Sequence, residues 1–134
     1  MKTQLEWLIV GKVLYAARSG PESLADLEAF AGRVIQLLEQ EGQPPVHLIW
    51  NMAGLSVEGV DQREAMVRLN KIMKHPKLKW FVAVDQDMPA FRRWLGAVVL
   101  RLTGVHWQVA DSQEDALIFL QKKDSSLSQP RENL

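Results

Sequence analysis

Cysteine is absent from this sequence, and with it go a disulfide framework, a thiolate metal site and a thiol nucleophile. No excess of one charge is present either, since 16 Lys and Arg stand against 16 Asp and Glu. The chain as a whole therefore has no electrostatic pull on nucleic acid or on an anionic membrane. No apolar run approaches the ~20 residues that a spanning helix needs. The longest candidate, Leu95 to Leu102, is interrupted by Arg101 and preceded by Arg92 and Arg93. Met1 to Glu6 carries an acidic residue ahead of only four apolar ones and shows no small-residue cleavage pattern, so no signal peptide is expected and a cytoplasmic location fits. Also missing are a Gly-x-Ser-x-Gly elbow, a Walker phosphate loop, a Gly-x-Gly-x-x-Gly fingerprint and a His-Glu-x-x-His pair. These absences argue against an enzyme of a common class. The histidines, His47, His75 and His106, share no metal-ligand spacing, so no metal and no cofactor are expected.

What is present is an ordinary globular composition, 47% hydrophobic and 24% charged over 134 residues. That length supports one core, which buries roughly two-thirds of the unfolded surface without staples. Leu5 to Ala17 reads as two short strands or one long bent one, stopped by Arg18-Ser19-Gly20-Pro21. Ser23 and Asp26 resemble a capping box before Leu24, Leu27, Ala31, Val34, Ile35 and Leu38, whose spacing predicts a helix ending near Gly42. Pro44-Pro45 then leads into Val46 to Asn51, a run suited to a buried parallel strand. After a long glycine-containing loop to Val60, Asp61 and Glu64 form a second capping box. The stripe Ala65, Met66, Leu69, Ile72 and Met73 follows, ended by His75-Pro76.

Leu78 to Val84 reads as a strand. Phe91, Trp94, Leu95, Val98, Val99 and Leu102 recur at helical spacing, and Gly104 caps that helix. Val105 to Val109 is a last strand, and Asp111-Ser112 with Asp115 starts a final helix through Ala116, Leu117, Phe119 and Leu120. Residues 1–123 are expected to form the domain, with 124–134 a flexible tail. Strands alternating with helices imply right-handed crossovers and the α/β class: a mostly parallel, mixed sheet of about five strands with four helices.

Ligands of open α/β sheets bind beyond the carboxyl ends of the strands. Those positions hold Asn51, Asp85, Gln86, Asp87, Asp111 and Ser112. Asp87, Asp111 and Ser112 also fall where helix caps belong, which leaves Asn51 and Asp85 as the freest candidates for chemistry. A local basic cluster runs from Arg63 to Lys79, and within it Arg68, Lys71 and Lys74 are spaced by three. They project together toward an acidic partner, phosphate groups or lipid heads, or else form a solvated face. Among the five tryptophans, Trp7, Trp50, Trp80 and Trp107 fall in strands and Trp94 in a helical stripe. They are core residues, or they line one cavity or contact face. Met52, Met66, Met73 and Met88 serve equally as gap fillers or as an adaptable contact surface.

The stretch Arg101-Leu102-Thr103-Gly104-Val105, followed by Asp111-Ser112-Gln113-Glu114-Asp115-Ala116-Leu117, resembles the ending of STAS domains. These domains, typified by anti-sigma-factor antagonists, form the STAS-like (SpoIIAA-like) superfamily. The order of elements agrees from about Leu5 to Lys122. The Gly20 to Leu27 turn and helix, the His-Leu-Ile-Trp-Asn strand and the His-Pro-Lys-Leu-Lys-Trp-Phe-Val stretch are similar to small bacterial members. The resemblance implies a non-enzymatic signalling module that binds a protein partner or, in relatives with a lipid-transfer-like pocket, a small apolar ligand.

Switch members carry an Asp-Ser-Ser/Thr-Gly-like motif at the start of the second helix, where phosphorylation ends partner binding. Glu58-Gly59-Val60-Asp61-Gln62 stands there instead, and Ser56 lies about four positions too early. Phosphorylation control at that turn is therefore not expected, and Asp61 reads more simply as an N-cap than as a phosphoserine mimic. The leading expectation is a site for a protein partner, or for a second copy in a homodimer. It spans the loop from Gly54 and the helix after it, through Ser56, Glu58, Asp61, Arg68, Lys71 and Lys74. An alternative is a carrier holding a small apolar or lipid-like ligand against Trp50, Trp80, Trp94, Leu95 and Val98. A third reading is an enzyme using Asp85 with Asn51 or Asp111.

Overall fold

The computed structural model describes residues 1–84 and 106–128. The expected helix over 91–102, with Trp94, Leu95 and Val98, lies outside the described residues, as do Asp85, Gln86, Asp87, Gly104 and the last six positions.

The first segment is a hairpin, which resolves the choice between two strands and one. β1 (Lys2–Ile9) pairs antiparallel with β2 (Val13–Pro21), and Lys12 N–H closes the turn on Ile9 O at 2.9 Å. Gly11 sits there at φ 74. A Cβ at that position would lie 2.9 Å from Glu41 O, so both its conformation and its neighbour require glycine. The expected stop at Arg18–Pro21 is corrected, because β2 runs through to Pro21. Gly20 and Pro21 pair with β4 (Leu55–Ser56), and Glu22 N–H donates to Ser56 O at 2.8 Å. Arg18 is 2% exposed, against 9% for Glu22. Glu22 grips the guanidinium with both oxygens, one bond being Nη2 to Oε1 at 3.0 Å. The guanidinium also lies 4.5 Å from the centroid of the Phe30 ring.

α1 (Leu24–Glu41) starts where Ser23 accepts Asp26 N–H at 3.0 Å. It buries Leu27, Phe30, Ala31, Val34 and Leu38, leaving Leu24 and Ile35 at the rim. No basic residue occupies its last turn. Lys77, from a distant turn, fills that role: its Nζ donates to Leu38 O at 2.9 Å, Gly42 O at 3.0 Å and Glu39 O at 3.3 Å. A cation on the unpaired carbonyls of a helix C-terminus is worth about 1 kcal/mol. Lys77→Met is expected to lower stability by about that amount, read from the urea midpoint at unchanged slope. An unmoved midpoint would remove this contact from the account.

β3 (Val46–Asn51) follows, then β4, α2 (Gln62–Met73), β5 (Leu78–Val84), β6 (His106–Ala110) and α3 (Gln113–Lys123). The sheet order is β1-β2-β3-β5-β6, with β4 beside β2. The β1–β2 pair is antiparallel and the others are parallel. The mixed, mostly parallel α/β arrangement is thus observed. Among the described residues it has six strands rather than about five, because the loop after β3 contributes a two-residue strand. Three α-helices are present among the described residues, against the expected four.

The pleat divides the apolar residues between two faces. Leu14, Ala16, Leu48, Trp50, Phe81 and Ala83 face α1 and α2. Val13, Tyr15, Ile49, Val82 and Val84 face α3. The stretch expected to fray from 124 is packed as far as Ser128. Asp124 N–H caps α3 on Leu120 O at 2.8 Å, and a 3-10 turn, Ser125–Ser128, inserts Leu127 at 0% exposure into the second core. Asp124 also reaches down to β3, its Oδ2 lying 2.8 Å from Nε2 of the fully buried His47.

Candidate interaction site

β3 delivers the chain to this region through Asn51, whose side chain is locked at both ends. Its Nδ2 donates to Tyr15 Oη at 3.1 Å and its Oδ1 accepts Ala53 N–H at 3.0 Å. Met52 and Leu55 then turn into the first core. This pins the start of the loop and leaves its outer part, Ser56, Glu58 and Gly59, exposed. Gly59 takes φ 81, a conformation that costs L-residues strain. Val57 and Val60 rest half-buried against the core and are joined by Val60 N–H to Val57 O at 3.2 Å. Asp61 is the N-cap of α2, its Oδ1 accepting Arg63 N–H at 2.8 Å and Glu64 N–H at 3.2 Å. The reciprocal half of the expected capping box is replaced, because the Glu64 carboxylate accepts from Arg68 Nη1 at 3.0 Å.

The basic stripe is split. Arg68 is tied to Glu64, and its Nε is 4.0 Å from Glu28 Oε2 on α1. Lys71 Nζ lies 2.9 Å from Glu28 Oε1. The hydrogen bond from Lys71, with the charges of Lys71 and Arg68, holds the Glu28 carboxyl below its ordinary range. Arg68 and Lys71 thus stitch α2 to α1, whereas Lys74 is the exposed C-cap. Sequence spacing could not show this, because the opposing Glu28 is 43 residues from Lys71 in the chain. The sequence reading missed Val67, which is 54% exposed on the outer side of α2. The signal was available: Val67 falls off the Ala65-Leu69-Ile72-Met73 stripe, and at i+4 from Arg63 it shares the outward face. Ser56, Glu58 and Asp61 on the loop and Arg63 and Val67 on the helix it opens are all exposed, and Asp61 links the two through its cap on Arg63 N–H. Arg68 is partly covered in the seam between α1 and α2, whereas Lys71, at i+4 from Val67, stays half exposed while bonded to Glu28.

The described tryptophans do not share a cavity. Trp50 is 1% exposed between Phe30 and Phe81, with ring centroids 4.8 and 6.0 Å away. Its Nε1 has no hydrogen-bond partner among the described residues. Trp80 points to the opposite face, 5.0 Å from both His106 and Phe119. Trp7 packs at the edge of the first core and donates to Glu41 Oε1 at 3.1 Å, while Trp107 is 39% exposed. The expectation that Trp50 and Trp80 line one pocket is therefore corrected by strand alternation. Of the carboxyl-end candidates, Ser112 caps α3 by accepting Asp115 N–H at 3.1 Å. Asn51 helps line an open cleft of about 610 Å³ together with Lys2, Thr3, Gln4, Ala17, Arg18, Ser19 and Ala53.

The order of strands, the hairpin start and the helix placement define a STAS-like fold. Among solved structures, the chain is similar to the anti-sigma factor antagonist SpoIIAA in its unphosphorylated form. The TM-score is 0.58 at 15% identity, covering 90% of this chain and 97% of that one. No protein-family model matches the sequence, and no curated protein matches it either. Among the described residues no helix is long and apolar enough to cross a membrane.

Proposed function

We propose that this chain is a non-enzymatic regulatory module that docks a protein partner on the loop 54–61 and the outward side of α2. The observation that carries this is Val67. It is an exposed aliphatic residue on a helix whose inner face is already satisfied by the first core. A small apolar spot set among charges, here Glu58, Asp61, Arg63 and Lys74, suits a weak protein contact of mixed polar and apolar character. The STAS-like fold supports the same reading, because such folds generally serve regulation. Control by phosphorylation of Asp61's turn is not part of this reading, since residues 57–61 carry no hydroxyl side chain and Asp61 itself serves as an N-cap.

Val67→Glu is expected to weaken capture of the partner from the protein's own cells on the order of tenfold or more, as loss of a central apolar contact does. Ile118→Glu, at an equally exposed position on α3, should leave capture unchanged. Equal loss in both variants, or none in Val67→Glu, would move the site elsewhere. Reversal of Arg68 and Lys71 is a poorer test, because it also breaks their contacts with Glu28.

A further inference from the structure

β1 is an outer strand of the sheet and is long for one. Natural edges are kept short, bulged, covered, charged or interrupted by proline. β1 is eight residues long without proline, and its register with β2 is unbroken from Lys2 to Trp7, the irregularity coming only between Trp7 and Ile9. The opposite outer strand, β6, has five residues. Among the described residues nothing pairs with the outer side of β1.

Strand alternation places Lys2, Gln4 and Glu6 on one face of β1 and Thr3, Leu5 and Trp7 on the other. Two copies meeting edge to edge about a two-fold axis pair antiparallel, and opposed residues must have the same orientation toward the edge. The numbers of opposed residues therefore sum to an even value. Centring the pair on Lys2 or on Glu6 sets like charges face to face. Centring on Thr3 opposes Lys2 to Gln4, and centring on Leu5 opposes Lys2 to Leu8. Centring on Gln4 places Lys2 opposite Glu6 of the partner subunit, and the reverse contact forms by symmetry. The same register stacks Gln4 on Gln4 of the partner subunit and lays its Thr3 beside Leu5, which is half-buried at the rim of the first core. Glu6 is already held along the strand by Gln4, whose Nε2 donates to Oε1 at 2.7 Å.

We propose that the chain forms a two-fold dimer by antiparallel pairing of β1 with β1 of a second copy, in the register centred on Gln4. The two sheets become one continuous sheet. A strand pair is a small interface, so the dimer exchanges with monomer and depends on concentration.

The test is sedimentation velocity of the full chain over a concentration series at low salt. The wild type should approach twice the monomer mass. Lys2→Glu and Glu6→Lys should each shift the transition on the order of tenfold upward in concentration, because like charges then face each other. The exchange of both, Lys2→Glu with Glu6→Lys, should restore it. Both side chains are exposed, and unchanged circular dichroism confirms that each variant is folded. Slower amide exchange in β1 of the wild type at high concentration is the independent readout. A wild type that stays monomeric at its highest soluble concentration would overturn the proposal. So would single variants that dimerise normally, a double variant that is not rescued, or assembly beyond the dimer.

Discussion

Arg18→Met is expected to lower the stability of the chain by about 3–5 kcal/mol, the cost of leaving one member of a buried ion pair without its partner. The reason lies in how completely the pair is enclosed. Arg18 is 2% exposed and Glu22 is 9% exposed. Removal of the guanidinium strands a carboxylate whose remaining hydrogen-bond donor is Ser23 N–H at 3.1 Å. It also removes the cation from the face of Phe30. Glu22→Leu should cost a similar amount by stranding the guanidinium. The double variant, Arg18→Met with Glu22→Leu, should recover much of the loss, since two apolar side chains of comparable volume need no partner. Urea unfolding of the four proteins forms the cycle. Additive losses would show that the two side chains act independently and would contradict this account.

The second large effect is at the C-terminal end of the described chain. Leu127→Ala should cost about 2–4 kcal/mol, because Leu127 is fully buried and its removal opens a cavity between α3 and the sheet. The anchor beside it is pH-dependent. Burial pushes the His47 imidazole below its ordinary pKa of 6.5, outweighing the hydrogen bond and the charge of Asp124, which raise it, and Lys79 and Lys12 lower it further. The neutral ring donates from Nε2 to Asp124, and its Nδ1 has no partner among the described residues. Protonation there would place a donor where no acceptor waits.

The sign follows from linkage. A folded-state pKa below the unfolded one means that the unfolded chain binds more protons as pH falls. The contribution of His47 is therefore complete above about pH 6.5 and is lost progressively on acidification. Asp124 acts lower on the scale. Burial pushes its carboxyl up, but hydrogen bonds from His47 and Ser126 outweigh this and hold it below its ordinary value of 3.8. Its contribution is thus lost only near pH 4 and below. Stability should fall between pH 7 and 5, with the turn 125–128 becoming susceptible to proteolysis. His47→Gln should flatten that dependence. An unchanged slope in His47→Gln would assign the acid sensitivity to other groups.

Much of this fold could be read from local chemistry. Ser23, Asp61 and Ser112 announce the starts of three helices as N-caps, and each accepts the amide expected of it. The run Val46 to Asn51 reads as buried because both faces of its strand are covered. What escaped the reading depends on contacts between distant residues. Arg18 looks like part of a polar stop until Glu22 and Phe30 enclose it. Lys77 looks like one member of a basic cluster until the end of α1 is laid beside it. Asp124 looks like the first residue of a tail until His47, 77 positions earlier, is found facing it. In the candidate loop Ser56, Glu58 and Asp61 are exposed, which their polar character and the flanking glycines already suggested. On the helix, charge spacing could not show that Arg68 and Lys71 meet Glu28 of α1, because that partner is distant in sequence.

The docking face is tested most directly by amide hydrogen exchange of the full chain, alone and bound to the protein it captures. The account predicts slowed exchange over residues 54–67, with α3 unchanged. Protection confined to α3, or to the cleft beside Asn51, with the loop and α2 exchanging as in the free chain, would contradict it.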